Sequence, residues 1–495
     1  MACTGQIARM QRFFREVCMK TGLRRRYIGS AAFYKMVLAV AIPIMIQNGI
    51  TNFVSLLDNI MVGRVGTEQM TGVSIVNQLI FVFNLAIFGA VSGAGIFGAQ
   101  FFGSGDDEGV RCAFRFKLLI CAILTALGVA VFLIFGDDLI RLYLKGEGDP
   151  AQIEASFGYA KRYLGIMLFG FVPFVVAQCY SGTLRESNRT VLPMVAGIAG
   201  VAVNLIFNSL LIFGYLGFPK LGSAGAAIAT VLSRFVEAAV VIAFSHFGKR
   251  RCSFFRGVYR TLRIPRALIL QIGKKTLPLM LNEALWAGGM ALLSQCYSLR
   301  GYDVVTACNI ASTIANVFNV SFIAMGNAVG IIVGQLLGAG KMDEAVDTDR
   351  KLIVFSVAIC VLIGGVMALV APLFPQIYNT TEHVRGLAGE FIVICALCMP
   401  INALANACYF TLRSGGKTLI TFFFDSFYVC VFTAPLAFIL ANFTALPIVP
   451  LYLFCQLADI GKCIVGLIFI KKGIWIQNIV QKESTYEKHA ILPEA

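Results

Sequence analysis

The chain has 495 residues, of which 58% are hydrophobic and only 14% charged, with 41 phenylalanines. A soluble protein carries about 25% charged residues, so an ordinary water-soluble fold is excluded and a membrane protein is indicated. The net charge of +15 belongs to loops between apolar stretches rather than to a nucleic-acid surface, and those stretches lack the alternation of a membrane β-barrel.

Residues 1–35 read as a basic cytoplasmic segment, with "MQRFFREVCMK" and "GLRRRY" and no signal-peptide pattern. Arg9, Arg12, Phe13, Arg15 and Val17 fit a short amphipathic helix on an anionic membrane, or simply a tail obeying the charge rule. Apolar windows follow near 36–62, 73–101, 114–135, 161–184, 191–214 and 224–247, giving an N-terminal six-helix bundle over 36–247. A basic cytoplasmic linker spans 248–272. Windows near 273–297, 305–335, 351–373, 388–412, 418–442 and 448–470 give a C-terminal six-helix bundle over 273–470, before a cytoplasmic tail, 471–495. With the N-terminus cytoplasmic and helix edges trimmed, 31 of the 41 Lys and Arg residues fall inside and 8 outside. That bias places both termini in the cytoplasm. Basic loops of this kind rest against anionic membrane lipid.

The first window contains "IPIMIQNGITNFVSLLDNIMVG", Ile42–Gly63, with Pro43, Gln47, Asn48 and a lone acid, Asp58. A carboxylate kept in an apolar helix is costly and is usually used. Further on, "FNLAIFGAVSGAGIFGAQFFGSG" at Phe83–Gly105 aligns without gaps with "FNVSFIAMGNAVGIIVGQLLGAG" at Phe318–Gly340. Gln100 thereby falls on Gln335. The small residues in both allow close helix packing. "CYSGTLRESNRT" from Cys179 resembles "CYFTLRSGGKT" from Cys408. Six spans per copy make the repeat parallel, with an axis along the membrane normal. The expected fold class is therefore an all-α polytopic membrane protein. Twelve transmembrane helices form two six-helix bundles around a cleft.

In the fourth window lies Pro173, and in the fifth Asn204 and Asn208, spaced to share a helix face. Arg234 and Glu237 in the sixth read as a local ion pair. The seventh begins "LPLMLNEALWAGG", placing Pro278 over Pro43, Asn282 over Gln47 and Glu283 over Asn48. The aligned prolines bend or free a carbonyl in each helix, and would set the first and seventh helices face to face. Gln47, Asn48, Asn282 and Glu283 then form one polar patch, with Trp286 beside it to receive a flat organic cation. The tenth window holds Pro400, Asn402 and Asn406, and the eleventh an acid without a local partner, Asp425. Asp459 and Lys462 form another local pair.

The 15 cysteines lie mostly in apolar segments and act as small apolar residues, the CxxC at Cys395–Cys398 included. The three histidines are scattered singly, and no zinc, phosphate-loop or nucleophile motif is present. No enzyme, metal or cofactor is expected.

Taken together, "PIMIQNGITNFVSLLDNIMVG", "GAGIFGAQFFGSGDDEGVR", "VGIIVGQLLGAGKMDEAVD", "CYSGTLRESNRTVLPMV" and "NLIFNSLLIFG" make the sequence similar to the multidrug and toxic compound extrusion (MATE) family over roughly residues 30 to 475. The resemblance implies an antiporter that exports organic, often cationic, small molecules from the plasma membrane. Inward Na⁺ or H⁺ would drive it by alternating access, with a monomer as the working unit. It places ion coupling on Asp58, with Glu283 and Asp425 as further acids. The family's seventh-helix glutamate often stands a turn further from the proline than Glu283 does. The acid that one subgroup carries in the tenth helix is replaced here near Asn402, which leaves the coupling ion open. Flippases for lipid-linked sugars share this helix plan and are the alternative.

Overall fold

The computed structural model describes residues 27–144, 149–247 and 252–481. The amphipathic reading of the N-terminal segment and the distal part of the tail lie outside the described residues. Among the described residues, seven helices precede the linker: α1 (Ala31–Gly63), α2 (Thr67–Ser104), α3 (Asp107–Tyr143), α4 (Pro150–Phe169), α5 (Phe171–Glu186), α6 (Val191–Phe213) and α7 (Ser223–Phe247). Six follow it: α8 (Arg266–Ser298), α9 (Tyr302–Gly338), α10 (Met342–Val370), α11 (Glu382–Ser414), α12 (Thr418–Phe443) and α13 (Ile448–Lys471).

Local chemistry sets many of the helix ends. Ser30, Asp106, Asp149 and Thr381 accept hydrogen bonds from backbone amides of their first turns, and Pro150 opens α4 where no intrahelical donor is needed. Gly105 closes α2 at φ 77°, a left-handed turn that glycine takes without strain.

Among the described residues, ten helices are long and apolar enough to cross a bilayer, and α4 with α5, bent by 48°, would make an eleventh. The sequence led us to expect twelve. α8 is outside this number, and it carries Arg266, Lys274 and Lys275 in its early turns and Glu283 further on. It starts at Arg266, inside the stretch assigned to the linker. The described part of the linker, from Cys252 on, packs against the helices. Phe254, Phe255 and Val258 are buried, and Arg111 and Arg115 of α3 donate to the Phe254 and Val258 carbonyls.

Between the halves, α2 packs on α8 and α9, and α1 packs on α9. The first helix of each half thus meets the second helix of the other, rather than the two first helices forming the main contact. Glycine explains the choice. A Cβ at Gly89 would lie 2.8 Å from Met280 Cα, and one at Gly93 2.6 Å from Thr276 Cα, so only bare backbone lets α2 lie this close to α8. At the end carrying the linker, a Cβ on Gly103 would collide with the Gln335 carbonyl oxygen, and one on Gly338 with that of Gln100. Both collisions are related by the repeat.

That linker end is sealed. Gln100 donates to the Ser414 carbonyl at 2.9 Å, and its repeat mate Gln335 donates to the Glu186 carbonyl at 2.6 Å. The remaining acceptor of Gln335 takes Asn188 at 2.8 Å, whereas that of Gln100 takes the Ile479 amide at 2.9 Å. Residues 473–481, after α13, cross this end as a strap. Within it Trp475 is buried, and Asn478 donates to the Gly338 carbonyl at 3.1 Å.

Candidate functional site

A cavity of about 310 Å³ lies between the halves. Its walls come from α2, α5, α9 and α11, including Asn84, Phe88, Phe174, Arg185, Phe410 and Arg413. An apolar wall with a few placed polar groups is the usual form of a small-molecule site. Arg185 donates to Gln47 Oε1 at 2.7 Å, while its buried Nε has no partner. Arg413 lies over the Phe410 ring at 5.2 Å from the centroid. The acid in the wall, Glu186, is held by Lys117 Nζ at 2.6 and 2.7 Å.

A first polar cluster sits within the N-terminal half. Asn208 Nδ2 donates to Asp58 Oδ1 at 2.5 Å and to Asn204 Oδ1 at 3.0 Å, and Asn204 donates to Thr230 at 3.3 Å. Tyr163 donates to Asn77 at 3.4 Å. The chain from Asp58 through Asn208 and Asn204 to Thr230 gathers α1, α6 and α7 around one carboxylate. Asn208 Oδ1 is buried without a hydrogen-bond partner. Carboxylate and amide oxygens are the ligands hard cations take, and a carboxylate also holds a proton.

A second cluster occupies the C-terminal half. Asn282 is 1% exposed and donates to Asp425 at 3.2 Å and to the Tyr409 hydroxyl at 3.4 Å. Its own oxygen accepts from the Ser426 hydroxyl at 2.8 Å. Lys462 bridges Asp425 at 3.1 Å and Asp459 at 3.5 Å. Asp425, which has no partner within its own helix, thus finds one on α13, and the pair read as local is a three-member bridge. Asp425 lies in a π-helical stretch, 423–433, just before Pro435. Pro435 lacks an amide proton and crowds the preceding turn, so the helix widens there.

The expected four-residue patch does not form. Gln47 turns to Arg185 and Asn282 to Asp425, each inside its own half, because a buried amide takes the bonding partner at hand. Asn48, Glu283, Trp286 and Asn402 are half-buried and do not line the interlobe cavity. Asn406 is also half-buried, with its Oδ1 packed against Gly326 and unbonded. Arg234 and Glu237 come no closer than an ion pair's 4 Å. Arg234 lies over Phe174 at 4.9 Å and donates to the Gly170 carbonyl, at the bend, at 3.4 Å. Pro173 follows that bend, while Pro43, Pro278 and Pro400 lie inside continuous helices. Arg185, Arg413 and the Lys117–Glu186 pair escaped the sequence reading. The signal for the arginines was present, since both stand in the repeated "TLR". Among the described residues, no group of three or more His, Cys, Asp or Glu side chains is placed to hold a metal ion.

The MatE family profile matches residues 43–210 and 278–439. The chain is 25% identical over 455 residues to "Probable multidrug resistance protein NorM" of Thermotoga maritima, covering 90% of this chain and 94% of that one. It is 24% identical over 413 residues to "Probable multidrug resistance protein YoeA" of Bacillus subtilis, covering 82% and 87%. Among solved structures, one described as the outward-facing conformation of a multidrug resistance MATE family transporter of the MOP superfamily superposes with a TM-score of 0.78. Its identity is 19%, over 92% of this chain and 98% of the other. A MATE structure in the bent conformation gives the same TM-score and identity, over 92% and 97%.

Proposed function

The chain belongs to the MatE family, a secondary membrane transporter of the multidrug-efflux kind rather than an enzyme, and on that premise we propose that it exports bulky organic compounds, cations among them, in exchange for inward Na⁺ or H⁺. The observation that carries the reading is the separation of parts. One cavity lies between the halves, and each half keeps its own carboxylate cluster, around Asp58 on one side and Asp425 on the other. Cargo and coupling ion then occupy different places, and Gln47, on the same helix as Asp58, links that helix to Arg185 in the cavity wall. Asp58 is our choice for the coupling acid, with Asn204, Asn208 and Thr230 as its surroundings. Glu283, which lies outside the cavity wall and close enough to Asp425 to feel its charge, is with Asp425 our further choice for a coupling acid.

We further infer that α8 is the twelfth span, completing two six-helix bundles over 36–247 and 273–470 related by the repeat. Both termini then face the cytoplasm, and the monomer works alone in the plasma membrane. Impermeant labelling of cysteines placed in 249–275 is expected only from the inside, and outside labelling refutes this topology.

The test of function is transport in proteoliposomes. Efflux of a fluorescent lipophilic cation is expected when an inward Na⁺ or H⁺ gradient is imposed, and applying the gradients singly names the ion. Arg185 and Arg413 in the cavity wall favour a second reading, flipping of a lipid-linked sugar phosphate. Movement of such a lipid, with no cation efflux under either gradient, decides for it.

A further inference from the structure

The interlobe cavity has an electrostatic sign that the carboxylate clusters do not share. Three charged side chains line it, Arg185, Glu186 and Arg413, and Lys117 stands behind Glu186. Lys117 and Glu186 cancel each other, both carboxylate oxygens lying within 2.7 Å of the ammonium. Arg185 and Arg413 remain. Among the described residues, no carboxylate comes within 4 Å of either guanidinium. Glu186, Glu237 and Glu283 act on them only through space, from beyond that distance.

The two arginines are mates in the repeat, one from α5 and one from α11, so the pseudo-twofold axis brings one from each half to a single cavity. Arg185 is also held in place. Gln47 fixes its Nη2 at 2.7 Å, and its Nε is buried with no acceptor. A guanidinium offers five donors in a rigid fork that suits an oxyanion, and an unused buried donor is costly until an acceptor arrives. Beside these donors the wall is apolar, with Phe88, Phe174, Phe410 and Ile331.

We propose that this cavity is a binding site for the oxyanion of an amphipathic organic molecule, a carboxylate or phosphate joined to an apolar body, held between Arg185 and Arg413. The inference rests on the reading of the interlobe cavity as the cargo site and goes beyond it in charge. A cationic group is repelled here and is directed away from the arginines, whereas an anionic group offers an acceptor to the guanidinium of each half at once. Because one arginine belongs to each half, an oxyanion seated between them stabilises the arrangement in which the linker end is closed.

Equilibrium binding to the purified full-length protein in nanodiscs tests this, with an aromatic fatty carboxylate, its primary amide and its amine as three matched probes. A short-chain polyprenyl phosphate is a fourth probe, so that soluble and lipid sources of the same chemistry are told apart. The carboxylate or the phosphate is expected to bind at least about tenfold more tightly than the amide, as charge-assisted hydrogen bonds exceed neutral ones. The preference should vanish in Arg185→Gln/Arg413→Gln and persist, weakened, in Arg185→Lys/Arg413→Lys. The lysine pair keeps the charge and guards against a merely misfolded variant. Equal binding of amide and anions by the wild type, or an unchanged anion preference in the glutamine pair, overturns the proposal. Cation efflux measured in parallel keeps the two claims apart. Efflux without anion binding removes this site and leaves the transport reading. Anion binding without cation efflux leaves the site and removes the cationic cargo.

Discussion

Lys117 is wholly buried, and its ammonium is satisfied by Glu186 and by the Thr183 hydroxyl at 3.0 Å. Removing one member of such a pair strands the other in a medium that cannot solvate it, at about 3–5 kcal/mol. Lys117→Met is therefore expected to lower the thermal unfolding midpoint in detergent sharply, and Lys117→Met/Glu186→Gln to recover part of the loss. A double variant no more stable than Lys117→Met denies that the pair is a unit. Asp58 is a different kind of residue. Its known partner is an amide, so Asp58→Asn retains shape and hydrogen bonding but loses the exchangeable charge. Gradient-driven efflux should disappear while binding to the separate cavity persists. Wild-type transport with wild-type ion dependence in that variant moves the coupling role to Glu283 or Asp425. At this scale the sequence showed which residues are out of place in an apolar helix, because burying charge is costly wherever it occurs. It did not show partners. Asp58 meets Asn208 150 positions away, and Lys117 meets Glu186 69 positions away. Only packing in three dimensions decides such pairs. Lys462 illustrates the limit, since its i,i+3 neighbour Asp459 was visible but Asp425, on another helix and nearer, was not.

The helices themselves were largely readable, since long apolar runs with capped ends leave little choice. Their irregularities were less so. The break at Gly170 was flagged by Pro173, yet Pro400, its rough counterpart, sits in an unbroken helix. Proline permits a bend, and neighbouring helices decide whether it happens. The strap at 473–481 was read only as tail, because its role depends on Gln100 and Gly338, far away in sequence. The crossing of α2 and α9 over Gly103 and Gly338 is the element that holds the linker end shut. A methyl group at Gly338 meets the Gln100 carbonyl oxygen, so Gly338→Ala should push α2 and α9 apart and loosen the strap. Hydrogen–deuterium exchange in peptides covering 473–481 reads this directly, and several-fold faster exchange is expected than in the wild type. If exchange there is unchanged while the variant remains folded, the crossing is not the fastener.

For the molecule as a whole, the repeat was legible because alignment at a constant offset survives wherever both copies keep the same packing needs. What it left unspecified was how the copies meet. Under the proposed alternating-access cycle contacts between halves change, so no one pattern of side chains encodes them all. The structure shows one arrangement, with Gln100 reaching Ser414 and Gln335 reaching Glu186 across the sealed linker end. These bonds, together with the strap, span the two halves. The internal clusters around Asp58 and Asp425 lie within single halves. Binding that alters the clusters can therefore shift the balance between open and closed ends without unpacking either bundle. Rigid rocking has a geometric signature. Arg189 and Lys341 are exposed at the linker end, one in each half, and Tyr215 and Tyr302 are exposed at the opposite end. Spin labels on the first pair should move apart when labels on the second pair move together, as the coupling ion or cargo is varied. Labels placed twice within one half should hold their distance throughout. Opposite changes at the two ends with constant distances within each half identify two bodies turning about a common axis. If both ends open together, or if distances within a half change as much as those between halves, the bundles do not move as units.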